Sequence, residues 1–184
     1  VSPASLTFTS DHWNTPQTAD VTGINDLADD GDIAYTIVTA AAVSADPAYN
    51  GLNPLDVTVL NVDNDTAGIT VSPAFGLTTT ESGGTATFTI VLNSQPTADV
   101  TIGLSSSDTT EGTVNPSSLT FTPANWNTPQ VVTVTGANDA QVDGDITYTI
   151  VTAPATSSDI NYSGFDASDV PVTNTDDDIA GITV

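Results

Sequence analysis

The chain has 184 residues, 38% of them hydrophobic, and carries 23 Asp and Glu with no Lys, no Arg and no Cys, for a formal charge of −23. That balance excludes Lys or Arg salt bridges, Lys–Asn cross-links, disulfides, and any basic patch for nucleic acid or an anionic membrane surface. High net charge alone would predict disorder, but the apolar content and its strand-like alternation predict a folded chain whose self-repulsion is relieved by counter-ions or bound metal.

Taken in order, the chain repeats itself. Val1 to Val71 aligns without gaps onto Val114 to Val184. Leu6-Thr7-Phe8-Thr9 matches Leu119-Thr120-Phe121-Thr122, and Trp13-Asn14-Thr15-Pro16-Gln17 matches Trp126-Asn127-Thr128-Pro129-Gln130. Tyr35-Thr36-Ile37-Val38-Thr39 matches Tyr148-Thr149-Ile150-Val151-Thr152. Ser72 to Thr113 has no counterpart. The phase predicts the later part of one module over residues 1–66, a complete module over 67–178, and the first strand of a third over 179–184. A start at Val1 reads as the middle of a repeat, with the natural N-terminus expected upstream.

Within the complete module only strands are predicted. Gly68 to Ser72 opens it. Thr85 to Leu92 alternates and is rich in β-formers, and a turn follows at Asn93-Ser94-Gln95-Pro96. Further strands are expected over Asp99 to Ser105, Leu119 to Thr122, Val131 to Thr135, Ile146 to Thr152 and Val170 to Thr173. Ser106 to Pro116 reads as a polar loop. Short strands with turn signals about every ten residues point to an all-β fold of tandem immunoglobulin-like antiparallel sandwiches. Tyr35 and Tyr148 are expected in the core. Trp13 and Trp126 are expected to pack at a sandwich rim, with carbohydrate stacking as the alternative.

All but Glu81 and Glu111 of the acids are Asp, a side chain suited to turns and metal loops. Glu81 precedes Ser82-Gly83-Gly84. Asp108 follows Ser105-Ser106-Ser107. Asp139 and Asp143 bracket Ala140-Gln141-Val142, and Asp176, Asp177 and Asp178 close the last strand. Counting strands places these four groups at one end of a sandwich. Seven carboxylates from four loops could hold more than one ion. Hard oxygen ligands, a single His and no Cys favour Ca²⁺ over zinc or magnesium. Asp159, Asp166 and Asp169 are read as ordinary turn residues.

These motifs resemble the Calx-beta domain family. The carriers are Gly68-Ile69-Thr70-Val71, Glu81-Ser82-Gly83-Gly84, the Asp139-to-Asp143 spacing and Asp176-Asp177-Asp178. The Asn125-to-Gln130 run followed by Val-Thr-Val resembles bacterial adhesin-type versions. The resemblance implies a seven-stranded sandwich binding calcium at one end, beside the next module. Carried over by position, the ligands would be Glu81, Asp108, Asp139, Asp143, Asp176, Asp177 and Asp178. In the partial copy they would be Asp26, Asp30, Asp63 and Asp65, with Asn64 in place of the middle acid.

The expected function is a calcium-binding structural repeat of a large secreted or cell-surface bacterial protein, an adhesin, matrix or filament component. Calcium would rigidify the junctions between modules. One alternative is a filament subunit completed by strands of another protomer; another is an adhesion module for cell-surface or matrix glycans. Neighbouring copies of the repeat, in cis or as a homopolymer, are the expected partners, with no nucleic acid and no membrane insertion. Catalysis is not expected: His12 stands alone and becomes Asn125 in the second copy, and no Lys, Arg or Cys offers nucleophilic or phosphate chemistry.

Overall fold

A computed structural model of the chain describes residues 1–182. The chain divides into two compact units. The first is Val1–Asp26 with Asp30–Asp63; the second is Leu27–Asp29 with the chain from Asn64 onward.

The second unit is a sandwich of two sheets. Its strands are β3 (Ile69–Ser72), β4 (Leu77–Thr80), β5 (Thr85–Leu92), β6 (Val100–Ser106), β7 (Gly112–Asn115), β8 (Ser118–Phe121), β9 (Gln130–Gly136), β10 (Ile146–Thr152) and β11 (Val170–Thr175). One sheet has the order β4-β11-β10-β6-β8 and the other β3-β5-β9-β7. Every pairing is antiparallel except β4 with β11, which runs parallel from Leu77 opposite Val172 to Thr80 opposite Thr175.

Successive side chains on a strand point to opposite faces, and the alternating sequence converts that geometry into a core. Phe88, Ile90 and Leu92 of β5 face inward, as do Val100, Ile102 and Leu104 of β6. Val132 and Val134 of β9, Tyr148 and Ile150 of β10, and Val170 and Val172 of β11 complete the filling. The intervening Thr residues face out, where a β-branched hydroxyl suits a solvated pleat. Trp126 packs partly buried against this core, as expected for a rim residue.

Two stretches differ from the sequence expectation. Ser106 to Pro116 is not wholly loop, because Gly112–Asn115 pairs with β9 as strand β7. Leu77–Thr80 forms β4 because β11 offers it a ladder. Neither stretch has an apolar alternation long enough to announce itself; long-range pairing makes them strands.

The first unit repeats part of this pattern. Its strands are β1 (Ile33–Ile37) and β2 (Val57–Asn61), paired antiparallel in the register of β10 with β11. Local contacts repeat closely. The Asn61 amide donates to the Ile24 carbonyl at 3.0 Å, as Asn174 does to Ala137 at 3.0 Å. Thr39 N–H donates to Asp56 at 2.8 Å, as Thr152 does to Asp169 at 2.8 Å. The apolar core does not repeat. Phe121 is 0% exposed and its counterpart Phe8 is 55%; Tyr162 is 1% exposed and Tyr49 is 56%. Tyr35, expected in a core, is only half-buried, because among the described residues β1 pairs with β2 alone, whereas β10 lies between β11 and β6. Trp13 is likewise exposed. Residues 179–182 are irregular and exposed; the rest of the expected opening strand Ile179–Val184 lies outside the described residues.

Candidate metal centre

Four stretches of the second unit, carrying Glu81, Glu111, Asp139 with Asp143, and Asp176 with Asp178, deliver carboxylates to one region. β4 ends at Thr80, and a tight turn follows in which the Gly83 and Gly84 amides donate to the Thr80 carbonyl at 3.0 and 3.1 Å. Gly83 takes φ of 85° there, the left-handed conformation open to glycine. The Glu81 amide donates to the Thr175 carbonyl at 3.1 Å. The parallel ladder thus carries on past β4 and sets Glu81 beside the start of the acidic run at 176–178.

Two clusters result. Glu81, Asp176 and Asp178 bring carboxylate oxygens within 4.8 Å of one another, and Glu111, Asp139 and Asp143 do the same. Calcium holds its oxygens at 2.3–2.6 Å, so ligands across one ion lie up to about 5 Å apart. Both clusters meet that span. Their donors are all hard oxygens.

Hydrogen bonds orient part of the set. Asp176 accepts from the Gly144 amide at 2.8 Å and from the Asp178 amide at 2.7 Å. Those bonds hold its carboxyl below the ordinary aspartate value against a smaller effect of burial. Asp139 accepts from the Gln141 amide at 2.7 Å. Glu111 accepts from the Asn174 side chain at 3.4 Å, and its carbonyl accepts from the Ala137 amide at 2.9 Å.

Other oxygens are left over. Glu81 is 3% exposed, and its Oε2 is buried without a hydrogen-bond partner; so is Asp178 Oδ2. Desolvation, then the charge of Asp176, pushes the Glu81 carboxyl up; a hydrogen bond from the Asp177 main chain opposes this, and Asp139 and Asp143 add to the rise. Desolvation, then Asp176 and Asp177, pushes Asp178 up, with Asp139 and Asp143 again contributing. The two clusters therefore act on one another as a single negative field. A buried carboxylate oxygen left without a cation or a donor is costly, and this chain has no Lys or Arg to supply one. The residues fit a bound divalent cation.

Of the sequence candidates, Glu81, Asp139, Asp143, Asp176 and Asp178 come together in these clusters. Asp108 belongs to neither. Its carboxylate accepts from the Thr110 amide at 3.0 Å and from the Thr110 hydroxyl, and these bonds hold it below the ordinary aspartate value. Asp177 is exposed and contributes through its main chain. Asp26, Asp30, Asp63 and Asp65 belong to neither cluster. Asp63 accepts from the Asp30 and Gly31 amides at 3.0 and 2.7 Å, repeating the Gly144–Asp176 contact. The sequence reading missed Glu111. It is one of only two glutamates and directly precedes a glycine, a signal that was present but lay inside an expected loop.

No family model matches the chain, and no curated protein matches it. Among solved structures, the apo form of the Calx CBD1 domain is 16% identical, with 62% of this chain covering 100% of that one at a TM-score of 0.47. The periplasmic chaperone SfaE is 9% identical over 60% of this chain, at a TM-score of 0.47, and the chain spans 58% of its length. Domains 4 and 5 of the S-layer protein SbsC are 20% identical over 65% of this chain and 59% of that one, at a TM-score of 0.33. These are distant similarities of β-rich domains.

Proposed function

We propose that the chain is a non-catalytic structural repeat of an extracellular or cell-surface protein, stiffened by calcium at the acidic end of its sandwich. The observation that carries this reading is the pair of buried, partnerless oxygens, Glu81 Oε2 and Asp178 Oδ2, set among carboxylates in a chain without Lys or Arg. Glu81, Asp176 and Asp178 would hold one ion, and Glu111, Asp139 and Asp143 a second. An ion there supplies positive charge and fills oxygen coordination.

The chain's own residues define what such binding would do. The turn after β4, the loop after β9 and the residues beyond β11 would become one rigid end, fixing the direction in which the chain leaves the module. Extracellular modules bind calcium at about 0.1–1 mM, the range of external fluids, so such an end would be stiff outside the cell and loose where calcium is scarce. No helix among the described residues is long and apolar enough to cross a membrane.

The test is thermal unfolding with millimolar calcium, against magnesium and monovalent salt at matched ionic strength. A calcium-specific rise in Tm, lost in Glu81→Gln with Asp178→Asn, supports the reading. Equal shifts with all three salts would reduce the acids to screened surface charge.

A further inference from the structure

Leu27–Asp29 is the one stretch of residues 1–63 that belongs to the second compact unit. Three hydrogen bonds build it in. The Gln95 amide donates to the Leu27 carbonyl at 2.6 Å. The Ala67 amide donates to the Asp29 carboxylate at 2.8 Å, and the Asn161 side chain donates to the Asp29 carbonyl. Ala28 and Asp29 are half-buried there. In a chain with no Lys or Arg, the Asp29 carboxylate is met by a main-chain N–H, and such charge-assisted bonds are among the stronger ones. The residues that receive the tripeptide are themselves held. Buried Asp159 accepts from the Thr97 amide at 2.7 Å and from the Asn161 amide at 2.9 Å. β5 runs from the acidic turn after Thr80 to the residues just before Gln95, so this seat lies at the opposite end of the sandwich from the metal centre.

The two copies of the repeat separate frame from contact. Asn25-Asp26 and Asp30-Gly31-Asp32 recur residue for residue as Asn138-Asp139 and Asp143-Gly144-Asp145. The frame's bonds recur as well, Gly31 to Asp63 at 2.7 Å and Gly144 to Asp176 at 2.8 Å. The three residues inside the frame do not recur: Leu27-Ala28-Asp29 stands against Ala140-Gln141-Val142. The turn that carries Asn161 behaves in the same way. The Ala48 amide donates to Asp46 at 2.9 Å, as the Asn161 amide does to Asp159, but Ala48 is the counterpart of Asn161 itself. The two side chains that make the contact are therefore the ones replaced in the sister copy. Val142 has no carboxylate and Ala48 has no carboxamide, while the backbone that presents each is kept.

We propose that Leu27-Ala28-Asp29 is a recognition tip and that Ala67, Gln95 and Asn161 form its matched seat, so that three residues inside a constant loop frame select the sandwich on which the loop docks. The seat fits a tip with a carboxylate at its third residue. Ala140-Gln141-Val142 lacks that group and would leave the Ala67 amide unmet, which is discrimination by a missing partner. The pairing uses hydrogen-bond donors alone and needs no cation, so it stands or falls apart from calcium binding.

The test is amide exchange at Ala67 and Gln95, read residue by residue by NMR in the whole chain, with Tyr148 and Ile150 reporting global opening. Exchanging the tip for its counterpart (Leu27→Ala, Ala28→Gln and Asp29→Val together) should raise exchange at Ala67 and Gln95 by about tenfold or more, and leave Tyr148 and Ile150 unchanged. Leu27→Ala with Ala28→Gln keeps Asp29 and should stay close to the unmodified chain. Asn161→Ala should loosen the same two amides. Added to the exchanged tip it should do no further harm, since an unseated tip leaves Asn161 nothing to hold. The proposal is overturned if the exchanged tip protects Ala67 and Gln95 as well as the original, if the loss is the same with Asp29 kept, or if the effects of tip and Asn161 simply add. Equal loss of protection at Tyr148 and Ile150 would also overturn it, because the tripeptide would then be a general brace and not a matched contact.

Discussion

The Asn174 side chain ties the sandwich core to the acidic end: its Nδ2 lies 3.4 Å from Glu111 Oε2 and 3.0 Å from the Ala137 carbonyl, while its Oδ1 accepts from the Thr79 hydroxyl at 3.0 Å. It is 1% exposed. Asn174→Ala removes one partner from the Thr79 hydroxyl, which keeps the Tyr148 hydroxyl at 3.3 Å, and one from the carbonyl of half-buried Ala137, at about 1–3 kcal/mol in all. The expected outcome in denaturant titration is a lower midpoint with an unchanged slope. The same variant should weaken calcium binding, since Glu111 loses the donor that orients it.

Glu111 and Asp108 separate position from proximity in sequence. Glu111→Gln should reduce the calcium-induced rise in Tm, whereas Asp108→Asn should preserve it and cost only the Thr110 contacts. At a hundredfold excess of ion over its dissociation constant one site contributes about 2.7 kcal/mol, which sets the scale of the effect. Isothermal titration of the two variants side by side reads the difference directly; equal losses would contradict the clusters as drawn.

Asp159 gives a pH signature away from the metal centre. It is buried, and its carboxylate accepts from the Thr97 amide at 2.7 Å and the Asn161 amide at 2.9 Å. Burial pushes its pKa up, but the hydrogen bonds from Thr97 and Asn161 outweigh this and hold it below the ordinary aspartate value. A folded-state pKa below the unfolded one contributes stability above the unfolded value of about 3.9. That contribution is lost as pH falls through the folded pKa. Asp159→Asn should lower Tm at neutral pH and flatten the Tm–pH curve below about pH 4 relative to the unmodified chain.

Phe121 and Phe8 occupy matching positions in opposite environments. Phe121→Ala empties a buried site and should cost about 3–5 kcal/mol in the unfolding of the second unit. Phe8→Ala removes an exposed ring and should stay within about 0.5 kcal/mol. A large cost at Phe8 in chemical denaturation would mean that its face is already covered in solution.

The same pair shows what can be read from a sequence. Thr85–Leu92 and Ile146–Thr152 form strands at the expected residues because each writes its inward face as alternating apolar side chains. Glu81 and the 176–178 run were legible because a turn and a strand end fix where they sit. β7 and Glu111 were not: the pairing that places them joins Gly112–Asn115 to a strand far along the chain, and four residues hold too little pattern to declare it. Nor could the sequence of Tyr35 reveal its half-exposure, since burial depends on what covers a residue, and Tyr148 has that cover while Tyr35 does not.

The parallel pairing of β4 with β11 has a mechanical consequence. Because the two strands run the same way, opposing pulls on the entry to β4 and the exit of β11 slide them past each other. Four residues of ladder, from Leu77 with Val172 to Thr80 with Thr175, then resist in shear together; an antiparallel pair pulled from one end would open bond by bond. Glu81 and Asp176 are the next residues along, at the end of that ladder where tension leaves the module, so a cation between them would act as a stop against slippage.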